Sequence, residues 1–390
     1  MPRHATALET AGPASALVSL RRALDGSGPA LAPIPTGTSG SAVRQAATLD
    51  EPVPDDVALL LPTSGSTGAP KVVELTAAAL RHSADATHHR LGGPGRWLLA
   101  LPLTHVAGWQ VLVRSVVAGL DPTVLDLAHG FDVRAFTDLA AATDGPRRYT
   151  SLVPTQLVRL LDDGPASAAL RAFDAVLVGG AAAPASLLDR ATAAGVRVVT
   201  TYGTTETSGG CVYDGQPLDG VKVRLDDEGR VLVSGPVLAR GYRELPRETA
   251  EAFTLEEGAR WFATSDAGRL GLDGSLTLLG RLDDVVVTGG ANVSPASVEA
   301  ALTGRAGVAE CIVVGVPDEH WGQAVTALVV PGDGQTPTTD GVRAALRGLL
   351  PADALPRHVV VVRALPLRGP GKPDRSAAAD LARRALATGG

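Results

Sequence analysis

The sequence predicts an α/β protein of two domains. Residues 1–282 form a large N-terminal domain of α/β layers with a small β-barrel-like part, and residues 283–390 a small α+β domain. Three observations carry this. From Val57 onward, short apolar runs ending in Gly or Pro alternate with helical patterns, as in a parallel sheet covered by helices. After Lys222 the runs crowd together around turns such as DDEG, which suits an antiparallel meander or barrel. The 390 residues also leave room for two cores, at about 150 residues per domain.

Taken in order, Ser15–Leu24 has helical spacing, and the Gly/Pro/Ser-rich stretch Gly26–Ser41 reads as loop. Strands are expected at Val57–Pro62, Arg96–Leu103, Asp174–Gly180, Val196–Gly203, Lys222–Leu225 and Arg230–Gly235. Helices are expected over Thr76–Leu91 and Pro184–Gly195. Near Gly280–Gly290 the texture changes to a βαββαβ-like unit. It comprises a strand at Val285, a helix over Pro295–Leu302, strands at Cys311–Val316 and Val325–Val330, a helix near Val342–Leu350 and a strand at His358–Val362. About 110 residues suffice for a separate core there. From Leu367 to Gly390 a Gly/Pro loop precedes an alanine-rich helix.

Composition narrows the function. Hydrophobic residues make up 45% and charged residues 19%, so the chain can bury a core and is not disordered. With 13 aromatic residues that core must rest on Ala, Val and Leu. A net charge of −6 gives no basic footprint for nucleic acid. Cys211 and Cys311 are too few for a disulfide framework or a zinc site, and suit a reducing cytoplasm. Neither a secretory leader nor a membrane-spanning run of about 18 apolar residues is evident. Arginine outnumbers lysine 32 to three, so Lys71, Lys222 and Lys372 mark positions where a compact point charge could be required.

The densest chemistry lies in Thr63–Lys71, TSGSTGAPK, with four hydroxyls, two glycines, a proline and a lysine. Glycine lets backbone amides approach an anion, and hydroxyls and lysine add donors and charge. The alternative, a surface linker, sits poorly between two strand-like runs. It is not a Walker loop, because Ala69-Pro70 precede the lysine and a strand-like VVEL follows it. Neither a Gly-x-Ser-x-Gly elbow nor a His-Glu-x-x-His pair occurs.

TSGSTGAPK resembles the phosphate-binding signature of the adenylate-forming (AMP-binding, acyl-CoA synthetase) superfamily. Five further blocks follow in that family's order: VGGAAAP from Val178, TYGTTET from Thr201, WFATSDAGRL from Trp261, GRLDDVVVTGGANVSPASVE from Gly280 and PLRGPGKPDR from Pro366. The resemblance covers some 310 residues and includes two of the three lysines. It implies an enzyme that joins a carboxylate to ATP, releases pyrophosphate and passes the acyl group to coenzyme A, with Mg2+ neutralising the developing charge. It also implies that the small domain is mobile.

By the same resemblance, Thr63, Ser64, Gly65, Ser66, Thr67, Gly68 and Lys71 would hold the β- and γ-phosphates. Gly179, Gly180 and Ala181 would line the adenine, with Thr201, Tyr202, Gly203 and Thr204 beside the nucleotide. Thr205 would meet the α-phosphate, Glu206 the magnesium, and Asp266 and Arg281 the ribose. Ser265 stands where the family usually has glycine, and local crowding is expected there. Lys372 would contact the substrate carboxylate and the α-phosphate. Asp283 would be the hinge, and Gly289 and Gly290 would face coenzyme A during thioester formation. Lys222 matches no block and is assigned to the surface.

For the acid, Leu99–Leu120 and Ser208–Val221 resemble the corresponding segments of o-succinylbenzoate–CoA ligases, actinobacterial ones in particular. The early position of the phosphate loop suits the same group. His105, Gly108, Arg114, Ser208 and Gly209 are the candidate acyl-pocket residues. A physical argument runs beside this: Arg114 sits in the apolar run VLVRSVV, where a permanent cation is costly unless paired, and o-succinylbenzoate has a second carboxylate to pair with it. Arg114 could instead snorkel or pair with a structural acid. Alternatives are a CoA ligase for another aromatic or short acid, or a free-standing adenylation enzyme loading a carrier protein. The expected partners are therefore a small carboxylic acid, ATP and CoA, with a homodimer left open.

Overall fold

The computed structural model describes residues 3–8, 12–35, 38–64, 70–332, 334–368 and 372–388, with the backbone alone described at Thr38, Ser39, Ser64, Arg368, Lys372, Pro373 and Thr388. Among the described residues, the N-terminal part contains three sheets. The first orders Ala5–Leu8, Ala30–Pro33 and Val57–Ser64 in parallel, then Pro70–Thr76 and Gly241–Tyr242 antiparallel. Val57 to Leu61 are buried without alternation, as expected of a strand covered on both faces. Each such leucine contributes about 1.5–3 kcal/mol through burial.

The second sheet has seven strands. Val198–Thr204, Ala175–Val178, Arg148–Leu152, Arg96–Leu99 and Thr123–Val124 run parallel, and Gly209–Tyr213 and Gln216–Pro217 return antiparallel at one edge. The helix Ala77–Leu91 covers it. That helix starts where the Thr76 hydroxyl accepts the Ala79 amide at 3.1 Å, and stops at Gly92 with φ +93°. The helix Val106–Ala118 packs beside it, with Trp97, Trp109 and Tyr149 fully buried nearby. The third sheet is the antiparallel meander expected after Lys222: Lys222–Leu225, Arg230–Ser234, Ala259–Leu270, Phe253–Glu256 and Leu276–Arg281. Lys222 itself is exposed.

The stretch Gly26–Ser41 is not a loop throughout. Ala30–Pro33 is a buried parallel strand, and a helix spans Thr38–Ala47. Four residues, Ala30 to Pro33, preceded by Pro29, show no periodicity. Pairing on both sides, with Ala5–Leu8 and Val57–Ser64, makes that segment a strand.

After Asp283 the small unit appears largely as expected. The helix Pro295–Leu302 has proline at its first turn and Ser294 as its cap. Strands Val308–Asp318, Gly322–Pro331 and His358–Val361 and the helix Thr339–Leu346 complete a separate core around Val298, Val313, Val325 and Leu346. The strand Val286–Thr288 pairs with Ala291–Val293 across Gly289-Gly290, a hairpin absent from the sequence reading. The helix Arg375–Thr388 lays Ala378 and Ala382 on the opposite face of this sheet, against Ile312 and Leu328.

Candidate active site

Several of the predicted nucleotide residues lie at the ends of two neighbouring strands. Ala175–Val178 ends at Gly179-Gly180 beside Val198–Thr204. A Cβ on Gly179 would lie 2.2 Å from Thr201 Oγ1, so glycine is needed for the two strand ends to approach. Gly203 is equally constrained: a Cβ there would lie 2.0 Å from the Gly209 carbonyl oxygen. Between them Thr205–Thr207 forms one 3-10 turn, in which Thr207 Oγ1 accepts the Thr204 amide at 2.9 Å and Ser208 takes the left-handed φ of +55°.

Around that turn three clusters form. Glu206, 7% exposed, accepts the Tyr242 hydroxyl at 3.1 Å, and Lys71 Nζ lies 5.0 Å from the centroid of the same ring. Pairing of Tyr242 with Val73 brings the two strands together. Arg243 then pins that segment by donating to the Glu51 and Pro52 carbonyls and to Glu74. Burial, with the Glu206 charge, holds the Tyr242 phenol above its ordinary range, so it stays a donor. Among the described residues no cation pairs with Glu206, which leaves it able to serve a hard cation that keeps waters and phosphate oxygens as its other ligands.

In the second cluster Tyr202 Oη donates to Asp266 Oδ2 at 2.8 Å. Asp266 stands opposite Arg281 across an antiparallel pair, and Arg281 makes a two-pronged contact with Asp283, Nε to Oδ1 at 2.8 Å and Nη2 to Oδ2 at 2.5 Å. Burial raises the Asp266 carboxyl above its usual range, against the lowering effects of the Tyr202 hydrogen bond and Arg281. Arg281 is held protonated chiefly by its hydrogen bonds to Asp283. Ser265 is not among the residues of positive φ, so its backbone makes no demand for glycine.

The third cluster lines the helix Val106–Ala118. Ser208 is fully buried; its carbonyl accepts Gln110 Nε2 at 2.6 Å, and its hydroxyl donates to the Val237 carbonyl. A Cβ on Gly209 would sit 3.1 Å from Gln110. His105 is the N-cap residue of the helix, and Gly108 lets its first turn lie against Pro102, whose carbonyl oxygen a Cβ would approach to 2.4 Å. One turn beyond Gln110, Arg114 is 3% exposed. Its Nη2 donates to Tyr213 Oη at 3.1 Å, its guanidinium lies 4.9 Å over the Trp97 ring, and its Nε is buried without a partner. Among the described residues no carboxylate neutralises Arg114. It neither snorkels nor pairs with a structural acid.

The same core holds His88, which accepts Trp97 Nε1 at 3.2 Å. Burial, and then the Arg114 charge, lowers His88 from 6.5 to about 4. A histidine shifted down in the fold contributes stability that is complete above its unfolded pKa and lost as pH falls towards the folded one. Melting temperature is therefore expected to drop from about pH 6.5 to about pH 4, and His88→Gln to show a shallower drop. Parallel acid profiles for the two proteins would remove His88 as the cause.

Other candidates lie elsewhere or outside the described residues. Thr63 is opposite Lys71 in the strand pair, but Gly65, Ser66, Thr67 and Gly68, and the side chains of Ser64 and Lys372, lie outside them. The Lys372 backbone pairs with Arg368. Gly289 and Gly290 have φ of +57° and +83° in their hairpin, and Gly289 donates to the Trp321 carbonyl. Tyr242, Tyr213 and Gln110 were missed by the sequence reading. A signal existed: the chain has four tyrosines, and three of them, Tyr202, Tyr213 and Tyr242, touch these clusters.

A family model described as AMP-binding enzyme matches residues 5–243, and one described as AMP-binding enzyme C-terminal domain matches residues 297–372. The chain is 50% identical over 372 residues, 94% of its length and 95% of the relative's, to a probable 2-succinylbenzoate–CoA ligase of Mycobacterium tuberculosis (strain CDC 1551 / Oshkosh). It is 34% identical over 344 residues, 82% of its length and 68% of the relative's, to a feruloyl-CoA synthase of Amycolatopsis sp. Among solved structures it is similar to o-succinylbenzoate CoA synthetase (MenE) from Bacillus subtilis in complex with the acyl-adenylate intermediate OSB-AMP. There the TM-score is 0.72 and the identity 26%, over 92% of this chain and 80% of that one. It is also similar to ATP-bound MatB from Rhodopseudomonas palustris, with TM-score 0.81 and 25% identity over 98% and 90% of the two chains.

Proposed function

This chain belongs to the AMP-binding enzyme family, and from that premise we propose that it activates o-succinylbenzoate with ATP and transfers the acyl group to coenzyme A, a step of menaquinone biosynthesis. The observation that supports the reaction is the gathering of Lys71 and Glu206 about Tyr242, with Asp266 held by Tyr202 on the strand that leads into the turn carrying Glu206. The near full-length likeness to a probable 2-succinylbenzoate–CoA ligase, and the buried charge of Arg114, support the choice of acid.

In the first half-reaction a carboxylate oxygen attacks the α-phosphorus, the acyl–phosphate bond forms and pyrophosphate leaves. Two anions must approach, so the site has to supply positive charge. Lys71 and the loop after Thr63 hold the outer phosphates. Thr205 donates to the α-phosphate, and Asp266 and Arg281 hold the ribose. Glu206 would hold magnesium, directly or through water; bound there, the ion offsets phosphate charge. The buried single carboxylate, with one neutral donor on Oε1, fits such an ion. Lys372 carries the positive charge to the reacting carboxylate. In the second half-reaction the coenzyme A sulfur attacks the acyl carbonyl carbon, the thiol proton is lost and AMP leaves.

Residues 1–282 and 283–390 act as two bodies turning about Asp283, which brings Lys372 to the carboxylate and α-phosphate for adenylation and then the Gly289-Gly290 face to the acyl-adenylate for thioester formation. ATP and coenzyme A as substrates support a cytoplasmic setting, and no helix among the described residues is long and apolar enough to cross a membrane.

ATP–pyrophosphate exchange across a panel of acids, followed by coenzyme A addition, tests the reading. Exchange is expected with o-succinylbenzoate well above that with ferulate or malonate. Preference for a monocarboxylate would overturn the substrate. Asp283→Pro fixes φ at the pivot. It is expected to retain exchange and to slow thioester formation about tenfold, whereas Asp283→Ala, which loses only the Arg281 pair, should keep both. Equal loss of both halves in Asp283→Pro would point to damage to the fold.

A further inference from the structure

Three residues beyond Lys372, Arg375 opens the C-terminal helix. A cation at a helix N-terminus faces the positive end of the macrodipole, so helix stability does not explain it there. Its partners do. Nη1 and Nη2 form a fork onto Glu299 Oε1 and Oε2 at 2.6 and 3.0 Å, Nε donates to Asp284 Oδ2 at 2.8 Å, and Nη1 also reaches the Val313 carbonyl at 2.8 Å. Glu299 Oε1 in turn accepts the Val313 amide at 2.7 Å. One guanidinium thus ties together the residue after Asp283, the helix Pro295–Leu302 and the strand Val308–Asp318. Two carboxylates around it raise its pKa despite burial.

The other side of Lys372 is fixed as well. Lys372 pairs with Arg368 and Pro373 with Leu367, and the Asp374 amide donates to the Pro366 carbonyl at 2.9 Å. Lys372 therefore lies on a short hairpin whose exit is anchored three residues later, a span of at most about 11 Å. Without the fork that exit would hang on the helix alone. The helix has its own hold on the sheet through Ala378 and Ala382, so its folding does not require Arg375.

We propose that Arg375 is a positioning residue for Lys372 in the adenylation half-reaction. By clamping the lysine hairpin to Asp284, it makes the turn about Asp283 and the placement of the lysine one rigid movement. The proposal rests on the roles given above to Lys372 and Asp283. Lysine at position 375 keeps the charge but cannot reproduce a fork spanning three acceptor groups.

Arg375→Lys is expected to lower the kcat of pyrophosphate exchange about tenfold, because misplacement of a reacting group by a fraction of an ångström is felt in kcat. KM for ATP and acid, melting temperature, and transfer to coenzyme A from preformed acyl-adenylate should stay close to wild type. Asp284→Asn, which leaves the Glu299 fork in place, should show a smaller loss confined to the same half-reaction. Loss of both half-reactions together, or of neither, in Arg375→Lys would overturn the proposal. Lys372→Ala separates the two ideas. If it abolishes exchange while Arg375→Lys does not affect it, the positioning role alone falls; if it leaves exchange intact, the reading of Lys372 falls and the positioning role with it.

Discussion

Lys372→Ala is expected to cut pyrophosphate exchange by roughly 100-fold or more, because a charge-assisted contact made mainly in the transition state is worth on the order of 3 kcal/mol. Transfer to coenzyme A from preformed acyl-adenylate should remain, since that step forms a thioester without joining two anions. The position supports a loss of chemistry without a loss of fold. Lys372 lies on a two-residue strand, and the core of its domain is built from Val298, Val313, Val325 and Leu346. Single-turnover measurements of each half-reaction, beside a melting curve, are the test. Wild-type exchange would remove Lys372 from the mechanism, and a lowered melting temperature with both halves lost would point to the fold.

Arg114→Met should separate stability from specificity. The guanidinium is buried among neutral groups, with Nε unpartnered, and Tyr213 Oη keeps Thr87 Oγ1 at 2.9 Å once the arginine is gone. Methionine of similar length leaves no orphaned partner, so the melting temperature should hold or rise. His88, relieved of a neighbouring positive charge, should titrate at higher pH. If the second carboxylate of o-succinylbenzoate is matched by this charge, kcat/KM for the dicarboxylate should fall by about 2–3 kcal/mol, roughly 30- to 150-fold. An analogue lacking that carboxylate should lose little more than it already lacks. Arg114→Lys should recover only part of the activity. Equal penalties for both acids would remove Arg114 from substrate choice and leave it a core cation.

Much of the candidate site was legible because its residue types are costly to misuse. Glycines at 179 and 203 mark places where a Cβ would strike a neighbouring strand, Gly209 one where the backbone takes a left-handed φ of +92° against Gln110, and Lys71 is one of three lysines in an arginine-rich chain. The parallel strands were legible for a related reason: Val57–Leu61 and Ala175–Val178 are apolar without alternation because both faces are covered. The buried strand Ala30–Pro33 was not, since four residues that follow one proline and end in another contain no period and only pairing to neighbours distant in sequence makes them a strand.

By itself, then, the sequence determined the α/β class, most of the parallel strands and the antiparallel meander after Lys222, all of which are written in local spacing and residue type; the division near residue 283 and the nucleotide residues it offered as expectations. Tertiary structure alone decided who touches whom across that spacing. Tyr242 reaches Glu206 from 36 residues away, Tyr213 meets Arg114 across 99, and Arg375 returns to Asp284 across 91. Such pairs leave no local trace, because a hydroxyl or guanidinium is chosen for the partner it meets after folding, and burial gives that partnership its strength by excluding the water that would otherwise compete for it.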